Sequence, residues 1–299
     1  MKRNAFFNYM QYEKRASIHT LTAYRKDLEQ FFDYLKLHYP DTEVTDIDHL
    51  QIRSWIVQML GNGITPRSTN RKLSALKSYF KYLRKNSHME HDPMLKVTAP
   101  KVGKRLPAVV EQQQLEQLFT HVQFGEDFNG QRDRLILDLL YSTGMRRSEL
   151  VNLTIGNIDL PRQQLKVLGK GNKERLIPFG QSLQQAIIDY LKLREQTFPD
   201  ADSRRLLLNK KGENVTPQLV YNIVKKYLSA VTTAEKRSPH VLRHSFATHL
   251  ANNGADINAI KELLGHANLA ATQIYTHNSI DQLKKVYEQA HPKAKKNSD

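Results

Sequence analysis

Four stretches of the chain gather side chains that could handle a phosphate group. TGMRRSEL, residues 143–150, sets Arg146 and Glu149 three apart. On a helix that spacing puts both on one face, where the carboxylate could fix the guanidinium fork for a bidentate phosphate contact. Taken alone, such a pair is more often a surface ion pair worth roughly a few tenths of a kcal/mol. LGKGNKERLIPF, residues 168–179, holds Lys170 between Gly169 and Gly171. Flanking glycines let a backbone approach a ligand closely, and a lysine there could protonate a leaving alkoxide. A solvated turn lysine is the plainer reading. The likeness to a P-loop is superficial, because no GxxxxGK followed by Ser or Thr is present.

SPHVLRHSFATHL, residues 238–250, places His240 and Arg243 one helical turn apart, with His244 and His249 following. A proton-transfer group and a fixed positive charge on one face are what a transferring phosphoryl group requires. His240 and His244 at i, i+4 also have the spacing of zinc ligands. His249 turns off their shared face, the HExxH glutamate is missing, and there is no cysteine, so a metal site is not expected. LLGHANLAATQIYTH, residues 263–277, sets His266 nine residues before Tyr275. A helix tyrosine is usually a core residue with a wet hydroxyl. Two arginines, a lysine, two histidines and a tyrosine brought together would instead form a cationic phosphate cradle with a nucleophile inside it.

These residues must be positioned by something, and periodicity predicts mostly helix. Four helices are expected in the first 90 or so residues: Ala5 to Arg15, Ser17 to Leu37, Ile47 to Leu60 and Pro66 to Lys85. The second carries one apolar stripe of Leu21, Tyr24, Leu28, Phe31, Phe32 and Leu35. The fourth has Thr65 as N-cap, Pro66 in its first turn, and no acidic residue. Leu73, Leu76, Tyr79, Phe80 and Leu83 share one side. Arg67, Arg71, Lys81 and Lys85 lie opposite, with Lys77 and Arg84 on the flank and Lys72 out of pattern. A solvated helix face normally mixes signs, so this one is expected to track DNA phosphates.

Residues 94–106, rich in Pro, Gly and basic side chains, read as a linker between a domain at 1–93 and a second at 107–299. In the second domain helices are expected at Glu111 to His121, Arg132 to Tyr141, Leu183 to Gln196, Gln218 to Val231, His240 to Asn252, Ile257 to Leu264 and Ile280 to Ala290. A β-hairpin is expected at Leu165 to Phe179. The fold class is therefore mainly α with a small β-sheet.

Composition points the same way. Lys plus Arg number 45 against 30 Asp plus Glu, a formal charge of +15, which favours a polyanionic partner. Residues 1–106 hold 19 basic and 10 acidic side chains, net +9, leaving 26 and 20, net +6, beyond. Cysteine is absent, which excludes disulfides, thiolate nucleophiles and cysteine-based zinc sites. No apolar run approaches the roughly 18 residues a membrane span needs, and MKRNAFFNYMQYEKR turns charged too early for a secretory signal. A cytoplasmic protein is expected.

Together, and in this order, the four motifs resemble the signature of the tyrosine site-specific recombinases, the phage integrase family. The resemblance spans essentially the whole chain. It implies a four-helix core-binding, SAM-like domain followed by an α+β catalytic domain. Residue by residue, it implies Arg146, His240 and Arg243 around the scissile phosphate, and Lys170 as general acid to the leaving 5′ oxygen. It further implies His266 as a hydrogen-bond donor to the phosphate, Tyr275 as nucleophile and Glu149 in support. A tyrosine hydroxyl has a pKa near 10, so attack at neutral pH needs a base or a strong positive field. Rejoining through a 3′-phosphotyrosyl link needs no ATP, metal or cofactor, and stabilising the phosphorane charge is the main remaining task.

With no arm-binding module apparent ahead of the bundle, the resemblance is to the Xer branch. That implies resolution of chromosome dimers at a dif-like site during cell division. It also implies tetramers of this chain, alone or with a paralogous recombinase, on two sites in double-stranded DNA, with a septal DNA translocase as a further partner. The stripe of Ile280, Leu283, Val286 and Tyr287 suits docking on a neighbour or packing on its own domain equally well. An integrase of a mobile element, a type IB topoisomerase and a non-catalytic DNA-binding protein are the rival readings.

Overall fold

The computed structural model describes residues 2–103, 108–169, 174–201, 203–265 and 277–294, with side chains left undescribed at 277–281. The chain divides into two compact units, Met1–Arg105 and Leu106–Asp299.

The first unit is a helical bundle of α1 (Lys2–Asn8), α2 (Ile18–His38), α3 (His49–Gly61) and α4 (Pro66–Lys85). The chain does not stay α-helical to Arg15 as its periodicity predicts. It widens into a π-helical turn at Tyr9–Glu13, and Arg15 takes a left-handed φ of 48° that ends the element. The other starts are dictated locally. Ser17 caps α2 through the Thr20 amide, and Asp48 caps α3 through the Leu50 amide while Gln51 reaches back to the Asp48 amide. Thr65 caps α4 with Pro66 in its first turn. Of the α2 stripe, Leu21, Leu28, Phe31 and Leu35 are buried, packed with Trp55 and with Leu76, Tyr79 and Phe80 of α4. The stretch after α4 stays with this unit: Met94 and Val97 pack on its core, and Asn70 donates to the Pro100 carbonyl at 2.9 Å.

The second unit contains α5 (Gln112–Thr120), α6 (Phe128–Thr143), α7 (Arg147–Asn152), strands β1 (Ile158–Asp159), β2 (Gln164–Leu168) and β3 (Glu174–Pro178), then α8 (Gln181–Thr197), α9 (Pro217–Val231), α10 (Pro239–Asn252), α11 (Ile257–Leu264) and α12 (His277–Ala290). Helix α6 is buried nearly all round, as expected of an element at the centre of a core, and α7, α8, α9 and α10 pack on it. The sheet runs β1-β2-β3, antiparallel, with Leu165 opposite Ile177 and Val167 opposite Arg175. Strand alternation sends these four side chains inward and Lys166, Leu168 and Glu174 outward. The strand β1 and the short helix α7 go beyond the elements that periodicity predicts, because each is too short to show a repeat.

Of the two readings left open for the C-terminal stripe, packing on its own domain is the one observed. Leu283, Tyr287 and Ala290 are buried in the second core, and Val286 is half-buried. His291 beyond them is fully buried, stacked on Tyr287 with ring centroids 4.8 Å apart. Lys293 closes the seat with its ammonium 2.5 Å from Asp138.

Candidate active site

Two left-handed glycines set the stage. Gly144 ends α6 at φ 59°, and a Cβ there would lie 2.4 Å from the Phe246 ring, so no other residue fits without displacement. The turn it makes delivers Arg146 as the N-cap of α7, in extended backbone. Arg146 and Glu149 are therefore not two residues on one helical face. Glu149 reaches back instead: one carboxylate oxygen accepts the Arg146 amide at 2.7 Å and the other accepts its guanidinium at 2.8 Å. Gly265 ends α11 at φ 66°, pressed against the Arg175 side chain, which a Cβ would approach to 3.1 Å.

The last carbonyls of a helix have no partner within it and carry the negative end of its dipole. At the end of α11 three successive carbonyls each receive a guanidinium. Arg175 donates to Leu263 at 2.8 Å, Arg243 to Leu264 at 2.7 Å, and Arg146 to Gly265 at 3.1 Å. Arg243 also donates to the Gly144 carbonyl at 2.6 Å, tying α10 to the α6 turn. Arg146, Arg243, Glu149 and α11 are thus drawn into one cluster.

Arg175 is the member that inspection of motifs overlooks. It lies within the quoted LGKGNKERLIPF, and the signal was present: Ile177 faces the core, so Arg175, two residues earlier on the strand, must face it too. A guanidinium directed inward implies a buried acceptor, which proves to be Glu149, held through two bonds of 2.9 Å.

His240 lies in the first turn of α10, exposed, with Arg243 one turn on and buried. Burial lowers the His240 pKa below its ordinary value, and the charges of Arg147, His244, Arg243 and Arg146 lower it further. Its neutral imidazole is therefore the dominant form at neutral pH and can accept a proton. Burial and the charges of Arg146 and Arg175 bring Arg243 down to about 10, so it remains cationic. Burial alone would raise the Glu149 pKa, but the hydrogen bonds and charge of Arg175, then the hydrogen bonds of Arg146, outweigh it and hold the carboxyl below its usual range. His249 lies elsewhere, buried with Nδ1 2.9 Å from the Tyr141 hydroxyl. Among the described residues no group of three or more His, Cys, Asp or Glu is placed to hold a metal. Lys170, His266 and Tyr275 lie outside the described residues.

The second unit matches the phage integrase family over residues 108–282, and the first matches the phage integrase N-terminal SAM-like domain over residues 4–87. The chain belongs to the phage integrase family. It is 35% identical to the tyrosine recombinase XerC of Chlorobaculum parvum, over 97% of this chain and 94% of the relative. It is 36% identical to the tyrosine recombinase XerD of Staphylococcus epidermidis, over 97% and 98% respectively. It also resembles the XerH site-specific recombinase bound to a difH substrate in a pre-cleavage complex, with 25% identity and a TM-score of 0.69 over 91% of this chain and 80% of that one. The chain is thus a tyrosine recombinase of the Xer type, which breaks and rejoins DNA strands through a tyrosine-linked intermediate. Both domains take the fold the motifs imply.

The basic face of α4 in the SAM-like domain divides into two classes. Arg67, Lys77 and Lys81 are exposed and have no carboxylate partner among the described residues. Arg71 is held by Asp27 of α2, Arg84 by Asp92 at 2.8 Å, and the Lys85 ammonium lies 5.8 Å from the centre of the Tyr9 ring. Lys72, out of pattern in the helix, is buried and bonds Asp27 and Gln30. No helix of the described residues is long and apolar enough to cross a membrane.

Proposed function

We propose that this recombinase acts at a dif-like site to resolve chromosome dimers, cutting with Tyr275 as nucleophile. The observation that carries the chemistry is the unspent hydrogen-bonding capacity of the cluster. A guanidinium has five N–H donors. Among the described residues Arg146 and Arg243 each use two of theirs on protein oxygens, so both retain donors for the two non-bridging oxygens of a phosphodiester. His240, neutral beside them, takes the proton from the attacking tyrosine hydroxyl. Tyr275 bonds to phosphorus, the 5′ oxygen leaves with a proton from Lys170, and a 3′-phosphotyrosyl link retains the energy of the broken bond. His266, which follows Gly265 in the chain, donates to the phosphate as charge grows.

The finer role draws on the Xer relatives and on the difH complex. It places this protein in the cytoplasm, in a tetramer of this chain alone or with a paralogous recombinase, answering to a septal DNA translocase. Docking of the C-terminal segment on a neighbour would begin with release of His291 and Lys293 from their seat.

The test uses nicked duplexes bearing the host chromosome's dif-like sequence, a mobile-element end, or random sequence. Wild type should form a denaturant-resistant protein–DNA adduct on the dif-like duplex, and Tyr275→Phe none. An equal adduct from the Phe variant defeats the nucleophile assignment. Adduct formation confined to the element end would make the protein an element integrase, and adducts on random sequence a topoisomerase.

A further inference from the structure

We propose that Arg175 is the positioning residue of the phosphate cradle: it touches no DNA, and by occupying Glu149 it keeps Arg146 free to bind the scissile phosphate. The inference rests on the reading of Arg146 and Arg243 as phosphate ligands. Arg175 is 4% exposed in its side chain, against 31% for Arg146. Its Nε is spent on the Leu263 carbonyl, and its two terminal nitrogens each bond one oxygen of Glu149. Three of its five N–H donors are thus spent on protein oxygens, and its side chain is closed off from solvent.

The four acceptor sites of a carboxylate are all filled at Glu149. Oε1 takes Arg175 and the Arg146 guanidinium, while Oε2 takes Arg175 and the Arg146 amide. Fork-on-fork pairing is the geometry an Arg and a carboxylate prefer. Here Arg175 has that place, and Arg146 is left a single side-chain bond to the acid. Without Arg175 the carboxylate is released to pair bidentately with Arg146. The donors meant for phosphate would then be consumed, and their charge cancelled. Three guanidiniums against one carboxylate leave the cluster two net positive charges; loss of Arg175 leaves one. The Leu263 bond does a second service, because it fixes the end of α11 whose next two carbonyls orient Arg243 and Arg146.

Arg175→Gln and Arg175→Lys separate this role from a merely structural one. Lysine keeps the charge but cannot bridge both carboxylate oxygens and the Leu263 carbonyl in the fork geometry, and it carries the test if the Gln variant fails to fold. Each variant is compared with wild type on a nicked duplex with a normal scissile phosphate and on one with a methylphosphonate there, which lacks the negative charge. With phosphate, adduct formation should fall roughly 100-fold, as expected of misplaced catalytic groups, with site affinity within about twofold of wild type. With methylphosphonate the deficit should shrink to less than about tenfold, since there is less charge to neutralise. Equal deficits on the two substrates, or none on either, overturn the proposal. Wild type inactive on both would instead overturn the phosphate-ligand reading on which it rests.

Discussion

The two domains both present arginine and lysine to DNA in the proposed function, but they hold them differently. On the basic face of α4, Arg67, Lys77 and Lys81 stand in solvent with no carboxylate partner among the described residues, and Arg84 is steadied by a single half-exposed carboxylate, Asp92. In the catalytic domain Arg146, Arg175 and Arg243 are pinned to one helix end, and two of them to one acid. A side chain that only neutralises a phosphate gains from mobility, because the backbone of DNA offers many equivalent oxygens. One that must meet charge as it forms on a single phosphorus gains from having its orientation settled beforehand. Mobility and preorganisation are two uses of the same chemistry, distinguished by burial.

The contrast is sharpest at the acids. Glu149→Ala should cost about 3–5 kcal/mol in thermal or denaturant unfolding, because it leaves the buried Arg175 unpaired. Asp92→Ala, on an exposed pair, should cost less than about 1 kcal/mol. If the two losses prove equal, burial does not distinguish the regions.

Next in size is the pH dependence. The depressed pKa of His240 keeps the imidazole neutral as pH falls through the ordinary histidine value of about 6.5, so cleavage should persist there and fail only at lower pH. A single-turnover cleavage profile whose acid limb lies above that value would remove His240 as the base. Glu149 runs parallel: its folded pKa is lowered, so its stabilisation is fully present above the ordinary carboxylate range and is lost as pH falls through the lowered value. The smallest effect concerns α4. Replacing Lys77 and Lys81 with alanine should weaken binding to all sequences and flatten the salt dependence by roughly one unit per lost contact, measured by titration at several salt concentrations. An unchanged slope would make the face a solvated one.

Much of this was legible in the chain. The stripes of α2 and α4, the cap at Thr65 and the bounds of α4 and α11 follow from repeats and cap residues that act locally, so sequence suffices. The candidate residues Arg146, Glu149, His240 and Arg243 could be named from their motifs. Arg175 could have been found by strand alternation, but its partner could not, since Glu149 lies 26 residues away on α7.

By itself, then, the sequence determined the helical character, the two-domain plan, the basic surface and the order of the motifs, because periodicity, caps and charge are properties of neighbouring residues. Only the tertiary structure decided that Arg146 caps a helix rather than riding on one, that Arg175 belongs to the cluster, and that Lys72 is buried. The reason is the same in each case. A guanidinium or ammonium takes whichever carboxylate or carbonyl the fold brings within about 3 Å, and folding brings together residues that are remote in the chain.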